Sequence, residues 1–185
     1  GTTASTLFDI IDLTTGGNLN LGEDSNLIIN NKYGSVYGIF IEGSGAVYLG
    51  TGANLTINNG AVSPAIYIYG NGSVTADDNS SLIVKQTGVQ SGYGTIYLAG
   101  AGSFYVNNGA TFDVTATGQG SSTASLVYLA SGSTFSYGKD ASSTLSNDST
   151  GTYALITVAG SSTVTIYSVK DIIFDLGSNA GSGSK

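Results

Sequence analysis

The side chains that most often perform chemistry are nearly absent from this chain. It has no histidine, cysteine or arginine. Nucleophile–histidine triads, thiol chemistry and thiolate metal sites are therefore ruled out by residue type. The arginine that usually clamps the oxyanion in polysaccharide lyases is missing as well. What remains for acid–base work is a set of twelve Asp and Glu residues. A glycosidase needs two carboxyl groups about 5–9.5 Å apart, and no such pair emerges. Asp113 and Asp12 sit alone among apolar or hydroxyl neighbours. Asp77-Asp78-Asn79 could offer oxygens to Ca²⁺, which takes six to eight of them, but an Asx turn accounts for the triplet. Glu23 and Asp78 fall at equivalent places about 10 Å apart on strand spacing, too far for one ion. No metal or cofactor is expected, and the chain reads as a non-enzyme.

Aromatic residues are the chemistry left. The chain holds twelve tyrosines and six phenylalanines. Phe40, Tyr67, Tyr97 and Tyr128 follow one another at intervals of 27, 30 and 31 residues. Each is flanked by apolar residues on both sides, as in Ile39-Phe40-Ile41 and Ile66-Tyr67-Ile68. A tyrosine joins an apolar ring to a hydroxyl and suits glycans or protein surfaces. Glu42 and Tyr69 lie beside this column and could add polar contacts. The same column is also what in-register stacking within a sheet would produce, and a loop or a neighbouring domain could cover it.

The element that spaces these residues is a repeat. Apolar doublets, one residue apart, recur through the sequence. One unit is Ile39/Ile41, Val47/Leu49 and Leu55/Ile57; the unit before it is Ile11/Leu13, Leu19/Leu21 and Leu27/Ile29. Four more begin at Ile66, Ile96, Val127 and Ile156, so that successive units start 28, 27, 30, 31 and 29 residues apart. Within a unit the steps are eight and eight, and the length variation falls in the connection after the third doublet. Of the 36 doublet positions only Ser143 is polar.

Alternation at period two marks half-buried strands. Strands this short cannot bury a face alone, but stacked turns of chain can. The repeat therefore predicts an all-β fold, a right-handed parallel β-helix of about six three-strand coils with no substantial helix. The hand follows from the preference of parallel crossover connections. At about 4.8 Å per turn, the interior would be roughly 25–30 Å tall. A β-sandwich is the rival architecture, but it has no need to hold the doublets in register over six units. Residues 1–176 are expected to form one solenoid, with Gly1–Phe8 or neighbouring domains covering an end, and 177–185 a flexible tail. At the corner after the third strand, Asn30/Asn31 and Asn58/Asn59 should stack, and their amides should form a short ladder.

The balance of twelve acids against five lysines gives a net charge of −7, which disfavours nucleic acid and anionic membrane surfaces. No run of 18 apolar residues exists, so no membrane insertion is expected. The lack of cysteine fits an extracellular protein of a bacterium that does without disulfides.

The rungs GIFIEGSGAVYLGTGANLTINN, AIYIYGNGSVTADDNSSLIVKQ and TIYLAGAGSFYVNNGATFDVTAT resemble the pectate-lyase-like β-solenoid adhesive domains of large Gram-positive surface adhesins, especially those of lactic acid bacteria. The likeness runs from about Leu7 to Leu176. It implies attachment to host epithelium, mucin or another extracellular polysaccharide or glycoprotein, by a domain that is monomeric within a longer, cell-wall-anchored chain. It carries over no site residues. The sequence lacks the clustered Asp and the Arg of true pectate lyases, so their activity is not implied. The expected ligand surface is Phe40, Tyr67, Tyr97 and Tyr128 with Glu42 and Tyr69, and alanine at 67 and 97 is expected to lower binding without unfolding. A stalk without a ligand and a self-associating module are the alternatives.

Overall fold

The computed structural model describes residues 9–32, 34–89, 92–118, 124–148 and 154–177. Among them there are eighteen strands and no helix. The strands form three parallel six-stranded sheets, each taking every third strand in chain order.

The first sheet contains β1 (Ile11–Leu13), β4 (Ile39–Gly43), β7 (Ile66–Gly70), β10 (Ile96–Ala99), β13 (Ser125–Ala130) and β16 (Ala154–Val158). The second contains β2 (Asn18–Leu21), β5 (Ala46–Leu49), β8 (Ser73–Ala76), β11 (Ser103–Val106), β14 (Thr134–Tyr137) and β17 (Thr163–Ile166). The third contains β3 (Asn26–Asn31), β6 (Asn54–Asn59), β9 (Ser81–Gln86), β12 (Thr111–Ala116), β15 (Ser142–Asn147) and β18 (Asp171–Asp175). The chain is a three-faced β-solenoid. The expected cap Gly1–Phe8 and nearly all of the expected tail lie outside the described residues.

The register is the one the doublets impose. Ile11, Ile39, Ile66, Ile96, Val127 and Ile156 pair in succession up the first sheet. Leu19, Val47, Val74, Phe104, Phe135 and Val164 do so on the second. A one-residue slip would turn each apolar pair outward, so the pattern itself holds the stack. The inward residues of the four middle turns are buried. Those of the last turn open to solvent, with Val158, Ile166 and Phe174 each about half exposed.

The interior changes character along its length. Turns two and three are filled mainly by Ile, Leu and Val, while turns four and five hold Phe104, Phe112, Phe135 and Tyr137. Phe104 and Phe135 stack at 5.1 Å, and Tyr137 meets Phe135 edge-on at 5.0 Å. Ser143, the polar exception in the sequence, serves this cluster. Its hydroxyl donates to the Phe112 carbonyl at 2.6 Å and lies 2.9 Å from the Tyr137 hydroxyl. Burial raises the Tyr137 pKa, so the phenol stays neutral and needs the partner that Ser143 supplies.

The corners are as regular as the strands. After the second strand of five successive turns, one position takes a left-handed backbone: Asp24, Gly52, Asn79, Gly109 and Asp140, with φ between 54° and 71°. Asp, Asn and Gly are the residues that tolerate this conformation, so Asp77-Asp78-Asn79 is a turn. It is more than a solvated one. Asp77 accepts hydrogen bonds from the Tyr48 hydroxyl of the turn below and, at 3.1 Å, from Asn107 Nδ2 of the turn above. At the corner after the third strand, the expected amide ladder forms and extends to a third member. Asn31 donates to Asn59 at 2.7 Å, and Asn59 to Gln86 at 2.6 Å, all three buried.

Candidate functional site

Phe40, Tyr67, Tyr97 and Tyr128 occupy one outward column of the first sheet, one per turn, because each lies between two inward apolar residues. Strand spacing then forces their rings together. Phe40 and Tyr67 stand 5.4 Å apart, Tyr67 and Tyr97 stack in parallel at 5.0 Å, and Tyr128 meets Tyr97 edge-on at 5.3 Å. Glu42 and Tyr69 are neighbours in the next outward column, which continues as Ala99 and Ala130. Glu42 is exposed, and Tyr69 is 53% exposed with its ring 6.2 Å from Tyr67. All six expected residues therefore share one face.

Two further tyrosines complete the cluster. Tyr37 and Tyr93 come from the connections that lead into the first sheet. Tyr37 stacks on Phe40 at 5.5 Å and lies 4.9 Å from Tyr67; Tyr93 stacks on Tyr97 at 4.8 Å. Sequence reasoning missed both, because these connections vary in length and carry no period. A local signal was present. Each tyrosine is followed by a glycine just before a first-sheet strand, in Tyr37-Gly38 and Tyr93-Gly94. A Cβ at Gly38 would sit 2.6 Å from the Ala65 carbonyl oxygen, and one at Gly94 2.7 Å from that of Ile96. Glycine lets the connection lie close to the sheet and lays the preceding ring over it.

Seven rings are thus joined by centroid distances of 4.8–6.2 Å. Their faces are largely turned to one another. Tyr37, Phe40, Tyr67, Tyr97 and Tyr128 are all half-buried, whereas Tyr93 is 55% exposed. What the surface offers is ring edges, the bodies of Tyr69 and Tyr93, and a set of phenol hydroxyls. Burial pushes the Tyr67 pKa up to about 12, helped by the nearby hydroxyls of Tyr97 and Tyr37. Burial also raises Tyr97 and Tyr37. These phenols stay protonated at neutral pH and can each donate and accept a hydrogen bond.

The Asp9 carboxylate holds one edge of the cluster, accepting the Tyr37 backbone N–H at 2.9 Å. Partial burial raises its pKa, opposed by that hydrogen bond. No group of three or more acidic side chains able to hold a metal ion occurs among the described residues. Asp113 accepts the Thr144 backbone N–H at 2.8 Å and so serves the third sheet. No helix of the described residues is long and apolar enough to cross a membrane. Comparison with protein-family models, with curated proteins and with solved structures returns no match.

Proposed function

We propose that this chain is a non-catalytic adhesion domain of a bacterial surface protein, and that it binds a glycan, mucin or another glycoprotein along the outer face of the first sheet. The observation that carries this reading is the seven-ring cluster gathered on one sheet face, whereas Ile28, Tyr48, Tyr105 and Ile173 are exposed on the other two sheets outside it. Neutral phenols at the edges of stacked rings match the mixed apolar and hydroxyl character of a sugar. Glu42 adds an acceptor beside them. The resemblance of the rungs to adhesive solenoids of cell-wall-anchored proteins supports display outside the cell as part of a longer chain. Single sites of this kind bind weakly, and many displayed copies raise the effective strength by avidity.

A second reading is a structural spacer. The mutual stacking of the rings favours it, since a ladder whose faces are occupied stabilises the sheet without any ligand. A screen of the purified domain against immobilised glycans and mucins separates the two. The adhesion reading expects saturable binding that weakens on Tyr69→Ala and Tyr93→Ala, the two most exposed rings of the cluster, with unchanged thermal stability. Binding to no glycan or mucin, or binding indifferent to both substitutions, supports the spacer.

A further inference from the structure

The corner between the third and first sheets carries a second feature, built from other residues. Two depressions meet there and share Thr87. One is about 280 Å³ and is lined by Asn30, Lys32, Asn58 and Gly60 among others; the other is about 150 Å³ and runs past Lys85 and Thr115. Together they form a groove that follows the solenoid axis.

The repeat sets the spacing of charge along this groove. Asn30, Asn58 and Lys85 are successive members of one outward column. Lys32 lies on the turn of Asn30, and Gly60 packs directly above it, where a Cβ would stand 3.1 Å from the Lys32 carbonyl oxygen. Lys32 and Lys85 are therefore two turns apart, about 10 Å along the axis, and two residues apart along the strand direction, so their backbone positions are roughly 12 Å apart. The turn between them offers a short amide and a residue without a side chain, which leaves the floor open. The amide pair is oriented: Asn58 Nδ2 donates to Asn30 Oδ1 at 2.8 Å. That leaves the Asn30 amino group as a donor and the Asn58 oxygen as an acceptor towards the groove.

Charge is distributed unevenly here. The chain has a net charge of −7 and only five lysines, yet two of them border this groove and, among the described residues, no acid lines it. Among the described residues neither forms an ion pair, whereas Lys139 lies 3.8 Å from Asp140. At about 0.1 M salt the distant carboxylates are screened within roughly 10 Å, while groups in contact are screened much less.

We infer that this groove binds an acidic polysaccharide that carries one anionic group per disaccharide, with successive anions on Lys32 and Lys85 and sugar hydroxyls on Asn30, Asn58 and Thr87. Backbone positions roughly 12 Å apart, each carrying a flexible lysine stem, let the two ammonium groups span the length scale of a disaccharide. The open floor at Gly60 admits the ring between them. This site is independent of the aromatic face and stands whether or not that face binds a ligand.

The test is direct titration of the purified chain with a hyaluronan oligosaccharide, which has one carboxylate per disaccharide. Carboxyl-reduced hyaluronan serves as the neutral control, and dextran sulfate as a polyanion of much denser charge. The expected result is binding to hyaluronan, lost with the neutral control and lost in 1 M NaCl; binding to dextran sulfate alone would overturn the one-anion spacing. Lys32→Gln and Lys85→Gln should each weaken it about two- to fivefold. The double variant should weaken it about four- to twenty-fivefold, and Lys139→Gln, at a different corner beside Asp140, should leave it unchanged. Both lysines are exposed, so the glutamine variants keep the fold, which an unchanged melting curve verifies. Failure to bind hyaluronan, equal affinity for the neutral control, or full binding by the double variant would overturn the inference.

Discussion

Tyr67 is the position at which packing and recognition can be separated most sharply. Its ring has close neighbours at 4.9 Å (Tyr37), 5.0 Å (Tyr97) and 5.4 Å (Phe40). Aromatic pairs contribute about 0.5–1.5 kcal/mol each beyond burial. Tyr67→Ala removes all three and uncovers their rings, which places the loss at roughly 2–4 kcal/mol. For a chain of 185 residues, that lowers the Tm by roughly 5–15 °C. A binding loss in the alanine variant would therefore mix damage with recognition even where the domain stays folded. Tyr67→Phe keeps every ring contact and removes only the hydroxyl, so its stability should stay within about 0.5 kcal/mol of the parent. If the phenol edges meet the ligand, losing one hydrogen bond weakens binding by about 0.5–1.5 kcal/mol, up to roughly tenfold. The assay pairs thermal unfolding with equilibrium binding to whichever glycan or mucin the screen selects. A fully stable alanine variant would refute the stacking argument. Wild-type binding by Tyr67→Phe/Tyr97→Phe would refute the argument for the hydroxyls.

Three other perturbations probe the scaffold. Ser143→Ala should cost about 1–3 kcal/mol by stranding the Tyr137 phenol in the core; Tyr137→Phe should cost less, and the double variant should fall short of the sum by about 1 kcal/mol, whereas additivity in chemical denaturation would contradict the pairing. Asn59→Leu cuts the buried amide ladder and should cost about 2–4 kcal/mol, while Asn58→Ala, on the outer face of the same corner, should cost under about 0.5 kcal/mol; similar Tm values for the two would contradict the ladder's role. Asp77 is held below the usual carboxylate range, first by the Tyr48 hydroxyl and then by Asn107; its stabilising effect is present above the unfolded carboxylate pKa of about 3.9 and is lost as pH falls through the lower folded value, so in an NMR titration Tyr48→Phe should move the Asp77 midpoint upward.

The strands were legible because burial in a stacked sheet leaves a period of two, and nothing else in the chain competes with it. Ile39, Ile66, Ile96 and Val127 are vertical neighbours as the doublets require. The Asn30/Asn31 and Asn58/Asn59 stack was also legible, since identical residues at identical corners must meet. Gln86 was not, because a longer amide takes the same place one turn on. The purpose of Ser143 was hidden for a related reason. Its partner Tyr137 counts as apolar in a hydropathy pattern, and only the geometry shows the phenol turning to it. Tyr37 and Tyr93 escaped because the connections that hold them differ in length from turn to turn. The inward or outward phase of such a residue cannot be counted from a strand.

The central claim is that the outer face of the first sheet meets a glycan, and the twelve tyrosines offer a built-in test of it. With ring-labelled tyrosine, NMR titration with the selected glycan should shift the signals of Tyr37, Tyr67, Tyr69, Tyr93, Tyr97 and Tyr128. Tyr48 and Tyr105 on the second sheet, and Tyr167 just beyond it, should stay in place. Shifts confined to Tyr48, Tyr105 or Tyr167, or a saturated complex in which no tyrosine of the cluster moves, would contradict the claim.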